Sequence, residues 1–227
     1  MDEHWFGRLD VFNTQQGSTW TVNTQKIIFP ADKQHTWKSY VDARRIEVSC
    51  GEAPYLVSRY DTVTGEPIGL LSRIGLLDRK LRVVTENAAD ENEWLKWAYR
   101  AYESVYGFEF QGDNLLLARE NLLYTFFDYV RYALNRTPTL TELKKIATII
   151  FWNLWQMDGL TYGPPLYDIQ DEMNQLSLFD FLESEALIVQ KPAKSRCKIK
   201  DWRSKRYVRP STVPEAMATP SPFPAAS

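Results

Sequence analysis

The sequence predicts a mainly α-helical protein of mixed type (α+β), with a helical core domain, a small N-terminal β/irregular subdomain and a disordered basic C-terminal tail. Three observations predict it. Apolar residues recur at helical spacing from Ile74 to Trp155. Short β-favouring patches broken by Gly and Pro precede them. Residues 191–227 hold nine Lys/Arg against Asp201 and Glu215, a balance of +7 that leaves −9 on the rest, and they close on a Pro-, Ser- and Ala-rich stretch. The boundaries expected are 1–72, 73–165, a 166–190 linker and a 191–227 tail.

Taken in order, Thr19-Trp20-Thr21-Val22 and Ile27-Ile28-Phe29 read as irregular or edge-strand structure. Thr36 can cap a short helix over 37–41. Residues 46–51 and 55–60 read as two strands, and Asp61-Thr62-Val63-Thr64-Gly65 as a turn. Ile74, Leu77, Leu81 and Val84 open a helix that leaves Asp78-Arg79-Lys80 partly on its wet face. A second helix is expected from Asp90 to Tyr106, stopped by Gly107, with Trp94, Trp97 and Tyr102 in its core stripe. A third runs from Asp113 or Asn114 to Leu134. Thr139-Leu140-Thr141-Glu142 is a capping box for a fourth, reaching about Asp158.

Composition also bounds function. A 227-residue chain that is 44% hydrophobic can bury a real core, which excludes wholesale disorder. No apolar run approaches the roughly 20 residues of a membrane span. The start is acidic, with no apolar signal segment, and the two cysteines fit a reducing compartment. A cytoplasmic protein without membrane contact is therefore expected.

Several strings resemble one family. They include Cys50-Gly51-Glu52-Ala53-Pro54-Tyr55-Leu56-Val57-Ser58-Arg59-Tyr60-Asp61, Arg73-Ile74-Gly75-Leu76-Leu77-Asp78-Arg79-Lys80, Gln111-Gly112-Asp113-Asn114-Leu115-Leu116 and Trp152-Asn153-Leu154-Trp155-Gln156-Met157-Asp158-Gly159. Together they are similar to bacterial proteins called restriction endonuclease subunit M, associated with adenine DNA methyltransferases of restriction–modification systems. The resemblance covers roughly residues 20–165, and Ile199-Lys200-Asp201-Trp202-Arg203 looks like the family's closing segment. It implies a DNA-associated subunit, in host defence or on a mobile element, with DNA and a methyltransferase or restriction subunit as partners. The family's cysteine-rich stretch is reduced here to Cys197, so no metal site is expected.

Adenine methyltransferases hold S-adenosylmethionine on a glycine-rich loop and the flipped base on an Asn/Asp-Pro-Pro-aromatic loop. Tyr162-Gly163-Pro164-Pro165-Leu166 lacks the amide or acid and the stacking ring, and Gly65, Gly69 and Gly75 make no nucleotide loop. The expectation is a non-catalytic subunit that binds no cofactor and does not methylate DNA alone. Its DNA contacts would be Lys198, Lys200, Trp202, Arg203, Lys205 and Arg206, the cations on phosphate and Trp202 on exposed bases. A Mg²⁺-dependent endonuclease using Glu47, Asp61, Asp78 and Lys80 stays open as an alternative, with Mg²⁺ its only cofactor. So does an adaptor that docks on the bacterial sliding clamp through Gln175, Leu176, Leu178 and Phe179.

Overall fold

A computed structural model describes residues 2–16, 19–159, 162–165 and 197–208. Helix α1 (Asp2–Phe6) leads into a hairpin of β1 (Asn13–Gln16) and β2 (Thr19–Val22). Helix α2 (Trp37–Asp42) starts at Thr36 as expected, because Thr36 and Ser39 satisfy each other's backbone N–H groups in a capping box. It feeds β3 (Arg45–Val48). Residues 27–29 take the irregular form of the two expected, whereas 55–60, expected as a strand, forms none. Ile27 gives its N–H to the Glu86 carboxylate at 2.8 Å instead of to a strand neighbour. The Leu56 and Val57 N–H groups turn back onto Ala53 O at 3.0 and 2.9 Å, and Tyr60 keeps a single bridge, to Pro67.

Beyond a 3₁₀ turn at Leu70–Ser72 come α3 (Leu76–Asn87), α4 (Glu91–Glu103), β4 (Val105–Glu109), α5 (Gly112–Leu134), α6 (Leu140–Asn153) and β5 (Leu154–Gln156). The helix starts follow their caps, Asp90 for α4 and the Thr139/Glu142 box for α6. Helix α3 has no side-chain cap. Its first N–H groups are taken by the Tyr55 and Leu56 carbonyls, both at 2.8 Å. An added Cβ on Gly75 would lie 2.4 Å from Leu56 O, so only glycine lets that loop approach.

Two helices are shorter than the sequence implies. The second stops at Glu103, and Val105–Glu109 becomes a strand; the fourth stops at Asn153, and Leu154–Gln156 becomes another. The strands β3, β4 and β5 form one parallel sheet in that order. Each parallel step needs a long crossover, here two helices apiece: α3 and α4, then α5 and α6. All five β4 residues are buried, so the strand has no polar alternation to announce it. The sheet joins the first 72 residues to the helical region, since β3 lies in one and its partner β4 in the other.

Residues 197–208 do not belong to a disordered tail. They form a hairpin of β6 (Ile199–Asp201) and β7 (Arg206–Val208). Ile199 and Trp202 pack with Tyr106, Phe108 and Met157 over one face of the parallel sheet, while the helices cover the other. Polar contacts fix the hairpin. The Trp202 indole N–H donates to Asn153 Oδ1 at 2.7 Å, Arg44 pairs with Asp201 at 2.7 Å, and Arg203 pairs with Asp42 at 2.7 Å. Asn153 in turn donates to the Tyr102 and Val105 carbonyls, both at 2.9 Å. Burial of Ile199 and Trp202 outweighs the tail's basic composition. The expected clamp peptide, Gln175, Leu176, Leu178 and Phe179, lies outside the described residues.

Candidate functional site

In open parallel sheets the strand carboxyl ends are where loops converge and ligands bind. Here β3 ends in a tight turn at Ser49-Cys50-Gly51-Glu52-Ala53, with Ser49, Gly51 and Ala53 all left-handed (φ 65°, 55° and 66°). Glycine takes that conformation freely, whereas Ser49 and Ala53 each store about 1 kcal/mol of backbone strain. Neighbouring bonds hold the strain. Cys50 N–H donates to Phe108 O at 2.7 Å, and Gly51 N–H to Glu109 Oε2 at 2.7 Å.

Glu109 ends the middle strand. It is 5% exposed, and its other oxygen accepts the Gln111 N–H at 3.0 Å where α5 begins. One carboxylate therefore ties the turn after β3 to the turn after β4 and keeps lone pairs to spare. Cys50 beside it is no nucleophile. Burial, then the Glu109 and Glu47 charges, push its thiol up to about 12, so it stays protonated at neutral pH.

Two adjoining clefts open on this turn. The smaller, about 340 Å³, is lined by Ser49, Gly51, Glu52, Tyr60 and Asn114. The larger, about 750 Å³, shares Tyr60 and continues past Glu47, Ser58, Asp61 and Arg79. The Tyr60 hydroxyl donates to the Glu52 carboxylate, while Asn121 donates to Glu52 O at 3.0 Å and to the Tyr60 hydroxyl at 3.5 Å. Burial and the Glu52 charge hold the Tyr60 phenol above its ordinary range. Burial likewise raises the Glu47 carboxyl. Asp61 behaves oppositely. Its carboxylate accepts the Val63 and Thr64 N–H groups at 2.8 and 2.9 Å, which lower its pKa.

Asp78 and Lys80 are on a helix, as expected, but not on a wet face; they are 0% and 1% exposed. The expected wet-face placement of Asp78-Arg79-Lys80 is therefore corrected for Asp78 and Lys80. Two residues apart on a helix, they point to different sides. Asp78 Oδ2 accepts from the Ser58 N–H at 2.7 Å, and the Ser58 hydroxyl accepts from the Ile74 and Gly75 N–H groups. Lys80 gives its ammonium protons to Ala43 O and the Ser104 hydroxyl on the far side. Glu47 and Asp61 share a cleft that Lys80 does not line. Among the described residues no group of three or more His, Cys, Asp and Glu is arranged to hold a metal.

The expected DNA contacts divide. Trp202 is partly buried, with its indole N–H on Asn153 and the Lys200 ammonium 4.0 Å from its ring centroid, so the protein itself engages the ring. Arg203 is engaged by Asp42 through its carboxylate and its carbonyl. Lys198, Lys205 and Arg206 are exposed on the hairpin. The site residues missed by sequence reasoning are Glu52, Tyr60 and Glu109. The signal available was Gly51 directly after a β-patterned run, within a string already quoted for its resemblance. Compared with models of known families, with curated proteins and with solved structures, the chain shows no match.

Proposed function

We propose that this chain is the nucleoside-binding subunit of a DNA methyltransferase in a restriction–modification system. It would hold S-adenosylmethionine at the carboxyl ends of β3 and β4, beside a second polypeptide that supplies the target-base site. The observation that carries this reading is the cleft at the strand carboxyl ends, lined by Gly51, Glu52 and Tyr60, whose turn the buried Glu109 fixes through the Gly51 N–H. In open parallel sheets ligands bind at the strand carboxyl ends, where a tight turn after a strand lets the backbone approach them.

Charge separates the methyl donor from other nucleosides. The charged side chain lining the smaller cleft is Glu52, and Glu47, Asp61 and Arg79 follow in the larger, so the acids outnumber the one cation. A carboxylate there repels phosphates and attracts the sulfonium and ammonium groups of S-adenosylmethionine. This reading departs from the expectation of no cofactor, which rested on a missing glycine motif. The resemblance to methyltransferase-associated subunits supports the system. Gly163-Pro164-Pro165 still lacks the side chain that would accept a bond from the base's amino group, so transfer needs a partner chain.

Calorimetry with the full chain tests the proposal. Saturable binding of S-adenosylmethionine is expected, with no competition from ATP or NAD at equal concentration. Glu52→Gln should weaken it about 10- to 100-fold, the loss of one charge-assisted contact, at nearly unchanged Tm. Absence of saturable heat at millimolar ligand, or a preference for ATP, would overturn it.

A further inference from the structure

Four aromatic rings lie together at the β5 edge of the sheet and line neither of the two clefts. Trp152 sits 4.9 Å from Tyr207, 5.6 Å from Phe151 and 6.0 Å from Trp155. Phe151 is 52% exposed and Tyr207 56% exposed, so the cluster presents ring surface to solvent instead of sealing a core. Cations flank it. The Arg119 guanidinium lies 5.5 Å from the Phe151 ring centroid. Lys144 is exposed two turns before Phe151 on α6, and Lys205 and Arg206 are exposed beside Tyr207 on the hairpin. Lys144, Lys205 and Arg206 make no ion pair among the described residues.

We propose that this aromatic face binds single-stranded DNA, with Tyr207 and Phe151 stacking on unpaired bases and Lys144, Lys205 and Arg206 on the flanking phosphates. Charge complementarity favours this occupant. The protein's positive balance of +7 is concentrated in 191–227, the stretch that contains the hairpin, against −9 elsewhere. Exposed rings set among cations are the arrangement by which proteins hold unpaired strands, because every base has a face to stack and every linkage a charge. A duplex hides its base faces and could use only the cations. The inference deepens the DNA-associated part of the proposed function and moves the stacking role from Trp202 to the rings that are exposed.

The test is fluorescence anisotropy of a labelled oligo-dT and of a duplex of equal length, on the full chain, with tryptophan quenching as a second readout. Binding of oligo-dT should quench tryptophan and weaken with salt at a log–log slope of about −2, three cations at about 0.7 each. Phe151→Ala and Tyr207→Ala should each weaken oligo-dT binding about 5- to 100-fold, with duplex binding little changed and Tm preserved. Lys205→Glu should weaken both. S-adenosylmethionine binding should be untouched in all three, which separates failure here from failure of the nucleoside cleft. Equal oligo-dT affinity for the parent and the ring variants would overturn the proposal. So would a concentration-dependent doubling of mass that Phe151→Ala abolishes, since the face would then belong to a second copy.

Discussion

Asp78→Ala is expected to destabilise the protein by about 2–4 kcal/mol, because it strips the acceptor that orients Ser58 and empties a buried site. Asp78 Oδ2 holds the Ser58 N–H, Ser58 holds the Ile74 and Gly75 N–H groups, and the Tyr129 hydroxyl donates to Asp78 O. The residue therefore locks the 55–60 loop onto the start of α3, and that loop carries Tyr60 into the cleft. Asp78→Asn keeps an oxygen for Ser58 and separates packing from charge.

Its pH behaviour is specific. Burial, opposed by Ser58 and the Arg73 charge, raises the Asp78 carboxyl from 3.8 to about 6. Because the folded value is the higher one, the native state binds more protons than the unfolded state between about pH 4 and 6. The stability contributed by protonated Asp78 is therefore present below about pH 4 and lost as pH rises through 6. A shift of this size is worth on the order of 3 kcal/mol across that window. Denaturant titrations from pH 4 to 7 check it. The difference in stability between the parent and Asp78→Asn should change with pH in that direction; a constant difference would mean that the carboxyl titrates as an exposed acid does.

The second large effect concerns Trp202. Trp202→Ala should cost about 3–5 kcal/mol, as large aromatic truncations in packed sites do. It also leaves the buried Asn153 oxygen without the indole N–H that it accepts at 2.7 Å. The hairpin should then detach from the sheet, exposing Tyr106, Phe108 and Met157. Thermal unfolding and binding of a hydrophobic dye report this directly. Trp202→Phe, which keeps most of the ring but not the N–H, should recover more than half of the loss. An unchanged Tm for Trp202→Ala would show that 197–208 contributes nothing to the folded body.

How far the sequence reveals this fold follows from periodicity. Helices α3 to α6 were legible because one apolar stripe runs along each, and Asp90 and Thr139 mark the starts of α4 and α6. Strands β4 and β5 were not, because both follow a helix within one residue. Val105 and Leu154 fall where the helical stripe would continue. Without β4 there was no parallel sheet, and without the sheet no reason to ask what lies at its carboxyl ends. Glu109 then looked like one more acid. Asp78 and Lys80 misled for a related reason: charged residues are seldom fully buried, and only the bonds to Ser58, Ala43 and Ser104 make it tolerable here. In the hairpin, the cationic residues dominated the composition, while Ile199 and Trp202 decided its fate.

We propose that the strand ends around Gly51 and Glu52 hold S-adenosylmethionine. Hydrogen exchange of the full chain, followed by mass spectrometry with and without saturating S-adenosylmethionine, tests this most directly. Slowed exchange is expected in peptides covering 49–60 and 107–115, with Asn121 and its turn of α5 following and 197–208 unaffected. Protection confined to other peptides, or no change at millimolar ligand, would contradict it.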